Sequence, residues 1–233
     1  MKTALSIIFL ALSVSSLIWL IVTKCTKVGM PFFWTKLIAS VAFVVSGFVA
    51  VMLKSTIELY VFFVLIGLVM GMLGDILLAL KEIYKPHEGQ YLNGGFLCFA
   101  IGHIMYIIGF SLYATKKAEI LVPMFVGLAI GAVLATLICV NAGKLGIDFG
   151  RFKPQCYAYS FVLCITTTLM FALAIMVSKL WIVAAALLLF LISDLVLSLI
   201  YFAPRKDTNV NWGLNLGTYY VAQILIVAFL MFV

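Results

Sequence analysis

Charge is what this chain has least of. A tenth of its 233 residues are Asp, Glu, Lys or Arg, while two thirds are apolar. A soluble domain needs a far larger polar surface than that, and a mean hydropathy of +1.28 makes lipid the solvent. Histidine is nearly missing: His87 and His103 are too few for a His-rich zinc site, so no metal and no cofactor is expected. The five cysteines, Cys25, Cys98, Cys139, Cys156 and Cys164, form no CxxC pair, which argues against a disulfide framework or a zinc site. The spans hold no GxSxG and no Ser-His-Asp order, so a serine-hydrolase centre has no footing. Proline is sparse as well. Pro31, Pro86, Pro123, Pro154 and Pro204 lie between apolar runs or at their ends, where a missing N–H does least damage.

What is present is a succession of apolar runs at 4–22, 37–53, 58–80, 91–113, 120–140, 156–177, 180–202 and 212–233. A hydrocarbon core about 30 Å thick needs about 20 helical residues per crossing. The expected fold is therefore all-α: a polytopic membrane protein of about eight transmembrane helices, with residues 1–233 forming a single transmembrane domain. Trp19, Trp34, Trp181 and Trp212 fall near span ends, as rings do at the headgroup level. The first run begins like a signal peptide, but it is long enough to cross and reads as the first span.

The net charge of +7 does not point to nucleic acid, because the basic residues stand singly or in pairs between apolar runs. They read as topology signals. The connections after spans 1, 3, 5 and 7 hold Lys24, Lys27, Lys36, Lys81, Lys85, Lys144, Arg151, Lys153, Arg205 and Lys206, against Lys2, Lys54, Lys116, Lys117 and Lys179 on the other side. The positive-inside rule then places the first set in the cytosol and both termini outside. Localisation follows as multi-pass in a membrane, either a bacterial inner membrane or an endoplasmic reticulum depending on the source.

Only two acids lie well inside apolar spans, Asp75 and Asp194, and burying either without a partner costs several kcal/mol, roughly 2.5–3.5 on insertion scales. Gly74-Asp75-Ile76-Leu77-Leu78 in span 3 matches Ser193-Asp194-Leu195-Val196-Leu197 in span 7. Spans four apart run the same way, so the match suggests a parallel 4+4 internal duplication. Both acids then sit at one depth, on the order of 10 Å below the cytosolic helix ends at about 1.5 Å per residue. Span 4 places Gly95, Phe99, His103 and Tyr106 on one face, and span 8 does the same with Asn215, Tyr219 and Gln223, with Tyr220 beside them. These groups could converge on one cytosol-facing cavity. A small-residue stripe, Gly67, Gly71 and Gly74, would let a neighbour approach beside Asp75. Such acids can also serve only to tie helices together. If they act, two neighbouring carboxyls resist ionising together, which supplies one acid and one base.

Gly74-Asp75-x-x-Leu78, Gly95-x-x-x-Phe99-x-x-x-His103-x-x-Tyr106, Ser193-Asp194-Leu195 and Tyr219-Tyr220-x-x-Gln223 together resemble the lysoplasmalogenase, or YhhN-like, family of membrane hydrolases. The resemblance runs from about residue 60 to the end, with 114–180 similar mainly in hydropathy. It implies an eight-helix enzyme that cleaves the vinyl ether bond of a lysoplasmalogen to a fatty aldehyde and glycerophosphoethanolamine or glycerophosphocholine. It also implies that Asp75 and Asp194 are the catalytic pair; which of them is the acid stays open, with Asp194 slightly favoured as the one deeper below its helix end. His103, Tyr106, Asn215, Tyr219, Tyr220 and Gln223 would then orient the aspartates or the glycerol hydroxyls. The partners are a lysophospholipid substrate and the bilayer. Lys81, Lys85, Arg205 or Lys206 could draw in the lipid phosphate. The competing readings are a proton-coupled transporter using the same two aspartates and a non-catalytic lipid-binding scaffold. Substrate headgroup, chain length and oligomeric state are not legible.

Overall fold

The computed structural model describes residues 2–26 and 29–233. Lys27 therefore lies outside the described residues, as do the side chains of Lys2 and Cys25. The helices are α1 (Lys2–Thr26), α2 (Met30–Met52), α3 (Leu59–Ile83), α4 (Glu88–Thr115), α5 (Leu121–Asn141), α6 (Lys153–Met176), α7 (Trp181–Phe202) and α8 (Asn209–Phe232). Among the described residues there is no strand, only four short 3₁₀ turns in three of the connections. All eight helices are long and apolar enough to cross a membrane. The chain is an all-α, multi-pass membrane protein.

The largest departure from the apolar runs is at the start of α2, seven residues earlier than expected. Gly29, at φ 89°, turns the chain, and Pro31 sits in the first helical turn, where its fixed φ suits a helix and its missing N–H is not needed. Pro154 stands in the first turn of α6 in the same way. The consequence is that Lys36, read above as a connection residue, is inside a transmembrane helix and buried.

Neighbours in sequence pack together, α1 on α2, α2 on α3 and α3 on α4, and the order repeats as α5 on α6, α6 on α7 and α7 on α8. Across the halves α4 packs on α6, and α2 correspondingly on α8. The halves differ in that α1 also packs along α8 while α5 stands at the edge on α6, so the packing does not show the expected four-plus-four duplication. Short connections make consecutive helices antiparallel. The ends of α1, α3, α5 and α7 and the starts of α2, α4, α6 and α8 thus share one end of the bundle.

Small residues set the helix spacing, as van der Waals packing must where lipid removes any hydrophobic drive between helices. The stripe on α3 admits large side chains, the Tyr106 ring over Gly67 and the Phe99 ring over Gly74, and lets Gly102 of α4 come close to its backbone, where a Cβ would lie 3.2 Å from the Gly67 carbonyl oxygen. On α5, a Cβ at Gly131 would lie 2.6 Å from Ile165 Cα, so α5 and α6 touch backbone to backbone. Thr168 Oγ1 fastens the pair by donating to the Gly127 carbonyl at 2.7 Å.

Candidate functional site

Asp75 lies eight residues before the end of α3 and is only 2% exposed. Its carboxyl is surrounded from α2 and α8. Lys36 Nζ stands 3.2 Å from Oδ1, Ser40 Oγ donates to Oδ2 at 2.7 Å and Tyr219 Oη donates to Oδ2 at 2.8 Å. Tyr220 Oη is 2.8 Å from Ser40 Oγ.

Each hydroxyl carries one proton, which gives this network a direction. Tyr106 Oη donates to Gln223 Oε1 at 3.0 Å, Gln223 Nε2 donates to Tyr219 Oη at 3.2 Å, and Tyr219 is left to donate to Asp75. On the other side Ser40 is closer to Asp75, at 2.7 Å, than to the Lys36 carbonyl, at 2.9 Å, and Tyr220 is closer to Ser40, at 2.8 Å, than to the Lys36 carbonyl at 3.3 Å or Asp75 Oδ2 at 3.4 Å. Along the shortest contacts both chains end as donors on the Asp75 carboxyl, with the Gly71 and Lys36 carbonyls as more distant acceptors, and a lysine supplies the opposite charge. That arrangement suits an ionised Asp75, since aligned donors strengthen one another in a low-dielectric interior and a buried ion pair survives only when its remaining lone pairs are also met.

Asp194, eight residues before the end of α7, is built differently. It accepts a hydrogen bond from Tyr159 of α6, and among the described residues no cation comes within ion-pair distance of it. It is partly accessible and lines two small cavities. One, of about 50 Å³, lies among α5, α6 and α7 and is mostly apolar, with Ile138, Leu163, Leu191 and Leu195 in its wall. The other, of about 30 Å³, is bounded by Phe96, Cys156, Tyr159, Ser198 and Tyr201. Either exceeds the minimum for a water molecule, about 10–15 Å³.

The two acids are separated by rings. Phe99 packs against Tyr159 at 6.5 Å on the Asp194 side and against Tyr219 at 5.9 Å on the Asp75 side. Phe190 lies edge-on to Tyr219 at 5.1 Å. The polar groups expected to meet in one cavity are thus split into an enclosed centre at Asp75 and an open one at Asp194, coupled through an aromatic layer.

Among the residues singled out from sequence, Tyr219, Tyr220, Gln223 and Tyr106 do join the Asp75 network. Asn215 does not; its Nδ2 donates to the Ser193 carbonyl at 3.0 Å and it binds α8 to α7. His103 touches neither aspartate. It is 1% exposed, packs edge-on to Phe190 at 4.5 Å, and neither ring nitrogen has a hydrogen-bond partner. Two lysines counted as connection charges are also placed otherwise. Lys81 covers the Tyr201 ring at 3.2 Å, beside Glu82 at 3.5 Å, and Lys24 lies 3.7 Å from the Trp212 ring centre.

Sequence reasoning missed Lys36, Ser40 and Tyr159. A signal for two of them was present: Ser40 stands 35 residues before Asp75 and Tyr159 stands 35 before Asp194. Each acid is met by a hydroxyl at the same offset on the preceding helix. For Lys36, the Gly29-x-Pro31 helix start was the available clue.

Fold and site together define a multi-pass helical membrane protein with two intramembrane carboxyl centres near one membrane face. A model of the YhhN family matches residues 32–230, which include every residue of both centres. The chain belongs to that family, the lysoplasmalogenase family. No curated protein and no solved structure matches the chain.

Proposed function

We propose that this protein hydrolyses the vinyl ether bond of a lysoplasmalogen, with Asp194 as the proton donor and Asp75 as a fixed anion that supports the cationic intermediate. The observation that carries the division of roles is the contrast between the two carboxyls. Asp75 is met by Lys36 and by the hydroxyls of Ser40, Tyr219 and, at 3.4 Å, Tyr220, whereas Asp194 has one hydroxyl partner and faces two small cavities. Family membership supports the reaction class.

A vinyl ether reacts by protonation at the carbon β to oxygen. Asp194 gives its proton to that carbon, the C=C π pair forms the new C–H bond, and positive charge appears on the carbon bonded to oxygen. The Asp194 carboxylate, with the Asp75 charge beyond the aromatic layer, stabilises this oxocarbenium ion, in the way paired carboxyls serve glycoside hydrolysis. Water adds to the cationic carbon and returns a proton to Asp194. The hemiacetal then loses its alcohol as the hydroxyl proton passes to the departing glycerol oxygen, which leaves an aldehyde. One water is consumed and the acid is restored. Tyr159 orients the Asp194 carboxyl throughout.

The test is aldehyde release by the purified full-length protein in detergent, from a lysoplasmalogen beside its saturated alkyl-ether analogue. Wild type releases aldehyde from the vinyl ether alone, and in D₂O one deuterium appears on the carbon next to the aldehyde. Asp194→Asn abolishes release, and Asp75→Asn lowers it strongly. Aldehyde formed at the wild-type rate by Asp194→Asn would refute the assignment of the donor, and no aldehyde from folded wild type would refute the reaction.

A further inference from the structure

At the end of the bundle that both aspartates approach, a polar groove of about 390 Å³ opens between the start of α4 and the start of α6. His87, Gln90, Asn93, Arg151 and Gln155 line it. No residue there was assigned a substrate role above, and the basic residues nominated for the lipid phosphate line it nowhere. Lys81 is turned onto Tyr201, and Lys85 stands 3.8 Å from Glu82.

Arg151 is different. Among the described residues it has no carboxylate partner, and its guanidinium rests against the first turn of α4, where a Cβ at Gly89 would lie 2.8 Å from Nη2. Its planar group also lies 4.9 Å from the Phe152 ring centre. It is thus held over the groove by packing while its charge stays unpaired. A guanidinium with carboxamides around it is the donor set that recognises phosphate oxygens.

The position of the groove adds a second argument. Asn93 is three residues before Phe96 on α4, and Gln155 directly precedes Cys156 on α6; Phe96 and Cys156 both wall the Asp194 cavity. The groove and that cavity are thus lined by neighbouring residues of the same two helices. From Gln155 to Tyr159, which bonds Asp194, is one helical turn, about 6 Å. An extended glycerol, measured from the ether oxygen on its first carbon to the phosphorus on its third, spans a similar length. A lysolipid whose phosphate lay beside Arg151 would carry its first glycerol carbon, the one bearing the ether, down to Asp194.

Resting on the hydrolase reading, we infer that this groove is the phosphate subsite of a lysophospholipid and that Arg151 is its specificity-determining residue. The probe is equilibrium binding of lysophosphatidylethanolamine and of a monoacylglycerol with the same chain, to the full-length protein in a neutral detergent. Binding is measured in the Asp194→Asn background so that turnover plays no part. The parent binds the phospholipid about tenfold more tightly than the neutral lipid, the range a charge-assisted contact supplies. Arg151→Gln removes the difference, Arg151→Lys keeps part of it, and Lys153→Gln, a nearby charge outside the groove, leaves it intact. Equal binding of the two lipids by the parent, undiminished preference in Arg151→Gln, or an equal loss in Lys153→Gln would each overturn the subsite. Phosphate preference that depends on Arg151, in a wild type that releases no aldehyde, would sink the hydrolase and leave the subsite standing.

Discussion

Removing Lys36 is the sharpest test of the Asp75 centre, because hydropathy reads it as a connection charge while the structure pairs it with Asp75 inside the helix bundle. At 3.2 Å from Oδ1 the ammonium–carboxylate attraction is about 5 kcal/mol at an effective dielectric constant of about 20. Deleting one partner of a buried pair typically costs about 3–5 kcal/mol, since the other charge is stranded. Lys36→Met should therefore destabilise the protein by about 3–5 kcal/mol, and Asp75→Asn by a similar amount. The double variant should recover much of the loss, because an amide beside a methionine leaves no lone charge in the interior. The assay is a double-mutant cycle on chemical unfolding in mixed micelles, with Lys116→Met as the control. Lys116 pairs with Glu58 at 2.8 Å on the exposed far side of the bundle, where removal should cost about 1 kcal/mol or less. A Lys36–Asp75 interaction energy within about 0.5 kcal/mol of zero, the additivity expected of independent sites, would refute the ion pair and the charge state assigned to Asp75.

Three further outcomes follow from the same geometry. Tyr159→Phe takes the one hydroxyl from Asp194 and should lower kcat about tenfold with little change in KM, whereas an unchanged kcat would remove Tyr159 from the site. Ser40→Ala leaves Asp75 with Lys36, Tyr219 and the more distant Tyr220 hydroxyl at 3.4 Å, so it should lower unfolding stability by about 1–2 kcal/mol; a variant as stable as wild type would show that the Ser40 hydroxyl is not needed there. Gly131→Ala sets a methyl against the α6 backbone, and overpacking of this kind costs about 1–3 kcal/mol. Melting at the wild-type temperature would contradict the backbone contact between α5 and α6.

By itself the sequence determined the number of crossings and the level of the two acids. Both are one-dimensional properties. The transfer of an apolar segment depends on its own residues, and the depth of Asp75 or Asp194 follows from a fixed rise per residue. The face of α8 was legible for the same reason, since i, i+4 and i+8 coincide on any helix, and Tyr219 and Gln223 do share a network. Only the tertiary structure decided the partners. Lys36 stood at the edge of an apolar run, where hydropathy cannot separate a solvated lysine from one inside the helix. A shift of seven residues in the start of α2 turned it inward. His103 was placed on the correct helix, but the rings of Phe190, Tyr106 and Tyr159 keep it from both carboxyls. Which acid is sealed and which is open depends on how α2, α6 and α8 lean on α3 and α7. That arrangement arises from contacts between residues far apart in the chain, and no local pattern encodes it.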